Sequence, residues 1–280
     1  MIIDIHTHAF PKKIRDNREK YFAGEPGFKL LYNSPGSKLA GVEQTLAMMD
    51  EYKIDKSVVF GFPWKNADTC RLNNQYILKA VAKYPDRLIG FSCLDPFNDK
   101  AVLETESNLD MGLSGVGELA FYESGIDEEV IDGIQPLMEI CARKNYPVMI
   151  HTNEPIGHIY PGKSPNTLKQ IYNLVTRFSH NKVILAHWGG GIFLFNLLKK
   201  EVKKSLKNVY FDTAASPFLY DPDIYRYARD IAGIKKILWG TDFPLLRPSR
   251  YFNEFEESGL SSQEIMQIIG KNAQALLNLH

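Results

Sequence analysis

The sequence predicts an α/β fold, a closed (β/α)8 barrel of the TIM type, on three observations. Eight short apolar runs recur along the chain. A segment of helical period follows each of them. The whole fits into 280 residues, a length at which such barrels stand as one unit of about 250 residues. The expected organisation is therefore one domain over residues 1–280.

The expected strands are Ile2–His6, Ser57–Gly61, Leu88–Leu94, Gly115–Ala120, Pro147–His151, Lys182–His187, Asn208–Asp212 and Lys236–Thr241. They are apolar or β-branched almost throughout, as strands covered on both faces must be. Between them, Val42, Leu46, Met49 and Tyr52 repeat at helical spacing, as do Leu72, Ile77, Ala80 and Val81. Further helices are expected at Lys100–Asp110, Pro136–Lys144, Pro165–Phe178, Ile192–Ser205 and Pro222–Ala232, with Pro136, Pro165 and Pro222 at first helical positions. The last helix opens on the capping-box pattern Ser261-Ser-Gln-Glu264. No Gly-x-Gly-x-x-Gly or P-loop is present, which weighs against an open nucleotide-binding sheet. Two stretches break the rhythm, Phe10–Leu39 and Thr152–Ser164. Both follow strands, on the face where barrel enzymes keep their chemistry.

Composition excludes several classes. Basic and acidic residues number 33 each, so no field attracts nucleic acid. The run Lys199, Lys200, Lys203 and Lys204 reads as a solvated helix face. Cys70, Cys93 and Cys141 show no metal or disulfide spacing, which suggests reduced thiols. With no leader pattern before the first strand and no span long enough for a membrane, a cytoplasmic location is expected. The expected partner is a small-molecule substrate, with neither membrane nor nucleic acid.

The histidines carry the functional signal. Of seven, His6, His8, His151 and His187 fall at strand ends; His158, His180 and His280 read as loop, helix end and chain terminus. His6 and His8 are two apart and point to one side of a strand. Asp242 ends the eighth strand, and Glu118 sits in the fourth. A barrel gathers such scattered residues at its mouth. Imidazole plus carboxylate is a ligand set for a divalent metal, with zinc foremost and manganese or iron as alternatives. Glu118 is expected to project inward, because a carboxylate in a barrel strand is costly to bury without a cation.

These residues resemble a known family. Asp4-Ile-His6-Thr-His8 is similar to the Asp-x-His-x-His motif of the amidohydrolase superfamily. Ala186-His187-Trp-Gly-Gly-Gly191 and Trp239-Gly-Thr-Asp242-Phe-Pro244 resemble the sixth- and eighth-strand signatures of its amidohydrolase-related branch, which includes aminocarboxymuconate semialdehyde decarboxylase-like proteins. The resemblance implies a TIM barrel of the metal-dependent hydrolase type. It implies His6, His8, His151 and Asp242 as metal ligands, with Asp242 also moving a proton, and His187 as acid/base or substrate polariser. Glu118 stands where related proteins carry a ligand, either in a one-metal site or bridging two ions. A homodimer is compatible with the same branch.

Two reactions fit. The preferred expectation, resting on Glu118, is hydrolysis of a small ester, lactone or amide by metal-activated water. The alternative is non-oxidative decarboxylation of a small unsaturated or aromatic acid. Arg247, Trp188, Tyr160 and Trp64 are the expected substrate contacts, Arg247 as a carboxylate clamp and the aromatic residues, with Phe62, as walls.

Overall fold

In the computed structural model, which describes residues 1–279, all eight strands form: β1 Ile3–His8, β2 Lys56–Phe60, β3 Leu88–Gly90, β4 Val116–Leu119, β5 Val148–Ile150, β6 Val183–Leu185, β7 Val209–Asp212 and β8 Ile237–Leu238. Every pairing is parallel, in the orders β1-β2-β3 and β4-β5-β6-β7-β8. The two arcs close on each other. Ser92 bridges to Val116, and Thr7 bridges to Phe243. The Ile5 amide donates to the Trp239 carbonyl at 2.9 Å and the Asp242 amide to the His6 carbonyl at 2.9 Å, so the last strand seals against the first. His280 lies outside the described residues.

Closure needs Gly240. A Cβ there would lie 2.7 Å from the His6 Cβ, nearer than carbon atoms pack. Asp4 completes the seam. Its buried carboxylate accepts from the Thr241 amide at 3.0 Å and the Thr241 hydroxyl at 2.6 Å, joining β1 to the end of β8.

Inside the barrel, Ile3, Ile5, Val58, Phe60, Ile89, Phe91, Met149, Ile184 and Leu238 fill one apolar cluster. The opposite strand faces pack against helices; Glu128–Lys144, for example, buries Val130, Ile131, Ile134, Leu137, Met138 and Cys141. Three expected helices differ in detail. Glu128–Lys144 begins well before Pro136, because Asp127 caps it by accepting from the Val130 amide; Pro136 is interior. Leu168–Arg177 starts after Pro165, at a Thr167–Gln170 capping box. α-Helix occupies only Lys200–Ser205 of the stretch expected from Ile192; Ile192–Leu197 is 3-10 helix, an almost unbroken apolar run with no polar face to set an α-helical period. No helix of the described residues is long and apolar enough to cross a membrane.

The two irregular stretches lie over the strand C-terminal ends. Phe10–Leu39 contains the short helices Lys12–Arg15 and Pro26–Tyr32. It is tied together by the Arg18 guanidinium, which donates to the carbonyls of Tyr32, Ser34 and Ser37 at 3.3, 3.3 and 2.7 Å. The stretch 152–164 has no regular structure and is held by Asn153, whose side chain bonds Ser164.

Candidate metal centre

His6 and His8 leave β1 on the same face, as alternation requires. Their Nε2 atoms approach to 3.4 Å. Around them stand Glu118 from β4, with Oε2 at 3.7 Å from both Nε2 atoms, and Asp242 beyond β8, with Oδ1 at 3.7 Å from His6 and 3.3 Å from His8. His187 places Nε2 3.5 Å from Glu118. His151 places Nδ1 3.1 Å from the same carboxylate. Six side chains from five strand ends thus surround one point. All are buried except Asp242, which is partly open to the cavity.

The far nitrogens are committed elsewhere. His6 Nδ1 faces the Asp212 carboxylate at 2.9 Å, His8 Nδ1 faces the Gly61 carbonyl at 3.0 Å, and His187 Nδ1 faces the Ala214 carbonyl at 2.8 Å. Each partner accepts only, so each Nδ1 carries the proton. The Nε2 lone pairs of His6 and His8 then point at one another and at carboxylate oxygens. That arrangement is repulsive unless positive charge lies among them.

The electrostatics agree. Burial depresses the His6 imidazole, but Glu118, Asp212 and Asp242 outweigh it and raise it to about 10. Burial likewise depresses His187, and the hydrogen bond and charge of Glu118 raise it to about 9. Glu118 is held well below its ordinary value because His6 and His151 overcome its desolvation. The pocket demands a cation, as a proton or as a metal ion. Donors bound to one ion at about 2.1 Å with tetrahedral angles lie about 3.4 Å apart, close to the 3.3–3.7 Å spacings among His6, His8, Glu118 and Asp242. The residues therefore fit a divalent metal ion. Three overlapping trios (His6, His8, Glu118; His6, His187, Asp242; Glu118, His151, His187) have ligand atoms near enough to share one.

Backbone strain supports the placement. His187 and Asp242 both adopt positive φ, 55° and 59°, a conformation that non-glycine residues keep only where surroundings enforce it. After His187 the chain stays left-handed through Trp188 and Gly191. Gly190 is required there, since a Cβ would meet the Asn153 carbonyl at 2.4 Å.

The cluster forms the floor of a cavity of about 720 Å³ walled by Tyr32, Phe62, Tyr122, Tyr160, Phe218 and Leu245. Glu118 projects inward. His151 uses both nitrogens on other groups, Nδ1 on Glu118 and Nε2 on the Gly162 carbonyl at 2.8 Å. Tyr160 lines the cavity, with its hydroxyl given to Glu154.

The other expected substrate contacts lie away from the cavity. Trp64 is fully buried, donating to Asn73 within an aromatic cluster of Phe10, Phe28 and Phe62. Trp188 is also fully buried, donating to Ser216 and packed on Tyr225. Arg247 is an exposed partner of Glu51, held through two contacts at 2.9 and 3.0 Å. Its surface ion pair replaces the expected carboxylate clamp.

Sequence reasoning passed over Asp212. This residue ends β7 as His151 follows β5 and His187 follows β6, so the same strand-end rule points to it. Beyond His6, it accepts from the amides of His187 at 2.9 Å and Ala214 at 3.0 Å. Tyr32 and Tyr122 were also missed; neither carries a local signal.

The family model described as amidohydrolase matches residues 3–279. A curated relative, 2-amino-3-carboxymuconate-6-semialdehyde decarboxylase of Dictyostelium discoideum, is 22% identical over 341 residues, covering 99% of this chain and 91% of the relative. Among solved structures, a 5-carboxyvanillate decarboxylase from Novosphingobium aromaticivorans, complexed with manganese and 4-hydroxy-3-methoxy-5-nitrobenzoic acid, superposes with a TM-score of 0.78 at 17% identity, over 100% of this chain and 96% of that one. A dihydroxybenzoic acid decarboxylase from Polaromonas, with bound manganese and 2-nitroresorcinol, gives a TM-score of 0.71 at 19% identity, over 99% and 97%. The fold is shared with these proteins. The preference for ester, lactone or amide hydrolysis does not stand: the curated relative and these neighbours are decarboxylases. Glu118 fits a ligand role under either chemistry and so never distinguished the two.

Proposed function

This chain belongs to the amidohydrolase family, and from that premise we propose that it is a metal-dependent, non-oxidative decarboxylase of a small aromatic or unsaturated carboxylic acid. The observation that carries the reading is the cation-demanding cluster on the floor of an aromatic-walled cavity, joined to the activity named for the curated relative.

His6, His8, Asp242 and Glu118 are assigned as the ligands, with His151 holding Glu118 toward them. The mixed imidazole and carboxylate donors suit zinc, manganese and iron alike. A bound divalent ion supplies Lewis-acid stabilisation of a carboxylate and of charge developing beside it. The chain's own residues do the rest. Tyr122 and Phe62 lie nearly parallel, 5° apart at 6.3 Å, and present a flat wall to a planar acid. His187 is fixed by its bond to Ala214 with Nε2 toward the cluster. Glu118 beside it favours the protonated form against the cost of burial. As the bond between the substrate carbon and its carboxylate breaks, CO₂ leaves and the electron pair stays on that carbon. His187 then delivers its Nε2 proton there and recovers one from solvent. Water is not a nucleophile in this sequence.

The test is CO₂ release from hydroxybenzoates and muconate-type acids by metal-loaded protein, with His187→Asn as comparison. Turnover should fall about 100-fold or more in the variant. Absence of CO₂ from every acid, with turnover of esters or lactones instead, refutes the reading.

A further inference from the structure

The buried and half-buried tyrosine hydroxyls of this protein are not all placed alike. Those of Tyr76, Tyr160, Tyr225 and Tyr251 are engaged by protein partners, as hydroxyls in or near a core should be. That of Tyr220 is buried without a partner, and Tyr220 is not part of the cavity wall. Tyr32 and Tyr122 differ from both. Among the described residues neither hydroxyl has a hydrogen-bond partner, yet neither is sealed from the space around it, and both residues line the cavity above the metal centre. They come from separate elements, Tyr32 from the end of the inserted helix Pro26–Tyr32 and Tyr122 from the turn after β4.

Both rings are fixed. Tyr32 is 8% exposed, packs on Phe10, Phe28 and Phe62, and has its carbonyl held by Arg18. Tyr122 stacks on Phe62 and leans on His151 at 5.3 Å. Phe62 thus spaces the two phenols. A phenol is a neutral O–H donor near neutral pH.

Two ordered donors without acceptors, facing a cavity beside a metal centre, are built for an oxygen that arrives with the ligand. We infer that Tyr32 and Tyr122 are specificity-determining residues whose hydroxyls donate to a ring hydroxyl or oxo oxygen of the substrate, selecting oxygen-bearing acids over the bare acid. This inference rests on the decarboxylase reading for the substrate's carboxylate. It adds the second group that the substrate must carry. A ring oxygen conjugated with the reacting carbon is also where the electron pair left by CO₂ delocalises, so O–H donors there strengthen as the reaction proceeds. A site built to bond an oxygen discriminates against an analogue without one, because its donors are then left unpaired.

Calorimetric binding to metal-loaded protein tests this without turnover. The probes are benzoate and 2-, 3- and 4-hydroxybenzoate; the proteins are wild type, Tyr32→Phe, Tyr122→Phe and the double variant. At least one hydroxybenzoate should bind wild type about tenfold tighter than benzoate. Each single variant should lose part of that preference and the double variant all of it, with benzoate affinity and metal content unchanged. The inference is overturned if wild type binds all four acids within about twofold, a result that needs no variant to fold. It is also overturned if the preference survives in the double variant, which would assign selection to the metal. Failure of CO₂ release leaves these ratios measurable, so the two readings fall separately.

Discussion

Replacing Asp212 by Asn isolates the group that orients the centre without touching its ligand atoms. The carboxylate is fully buried and accepts three bonds: His6 Nδ1 at 2.9 Å on Oδ2, and the amides of His187 at 2.9 Å and Ala214 at 3.0 Å on Oδ1. Asn offers one oxygen. Turning its NH₂ toward the two amides would leave both unpaired, at about 1–3 kcal/mol each. The oxygen therefore stays with the amides, and the NH₂ faces His6. A donor there forces His6 into the tautomer that accepts at Nδ1 and carries hydrogen on Nε2. That proton then occupies the lone pair aimed at the metal. Loss of such an orienting partner costs about 10–100-fold in metal affinity, equivalent to about 1.4–2.7 kcal/mol. The assay is metal titration against a competing chelator, with melting curves of metal-free and metal-loaded protein. The metal-free melt should change less than the metal-induced increment, which must shrink with affinity. Metal affinity within about twofold of wild type would refute the tautomer argument.

Other perturbations follow from the same geometry. Gly240→Ala places a Cβ 2.7 Å from that of His6 and should cost about 1–3 kcal/mol of stability by denaturant unfolding, with weaker metal binding; wild-type behaviour in both would show that the seam yields freely. Arg247→Ala removes only the surface pair with Glu51, so CO₂ release should stay within about twofold of wild type, and a large rise in KM would restore Arg247 as a substrate contact. Burial raises Glu254 from 4.5 to about 7, against the opposing bond from Tyr225. Folding then favours its protonated form, so its contribution is full below pH 4.5 and is lost as pH rises through about 7. Melting temperatures across that window should fall for wild type relative to Glu254→Gln, and parallel curves would contradict the assignment.

The barrel was legible because buried parallel strands leave a strong sequence trace, apolar runs at regular spacing. His6 and His8 were legible because alternation alone puts both on one face. The same reasoning reached Glu118 and Asp242, each at or beyond a strand end. It stopped at side chains whose position depends on packing rather than on strand phase. Trp64 and Trp188 follow strands as expected of wall residues, yet their indole N–H groups found buried acceptors in Asn73 and Ser216, and large aromatics with satisfied donors settle in the core. Tyr32 belongs to an insertion whose path is set by Arg18 reaching three carbonyls, a tertiary pattern without periodicity. Glu128–Lys144 shows the same limit at a helix start, where the Asp127 cap outweighed the proline signal.

Anomalous diffraction from crystals of metal-loaded protein, collected across the absorption edge of the ion supplied, addresses the convergence of these side chains most directly. A peak should lie about 2.0–2.2 Å from Nε2 of His6 and of His8 and from a carboxylate oxygen of Asp242, with Glu118 against it. A loaded protein whose peaks all lie elsewhere, or one that takes up no divalent ion, would contradict the account.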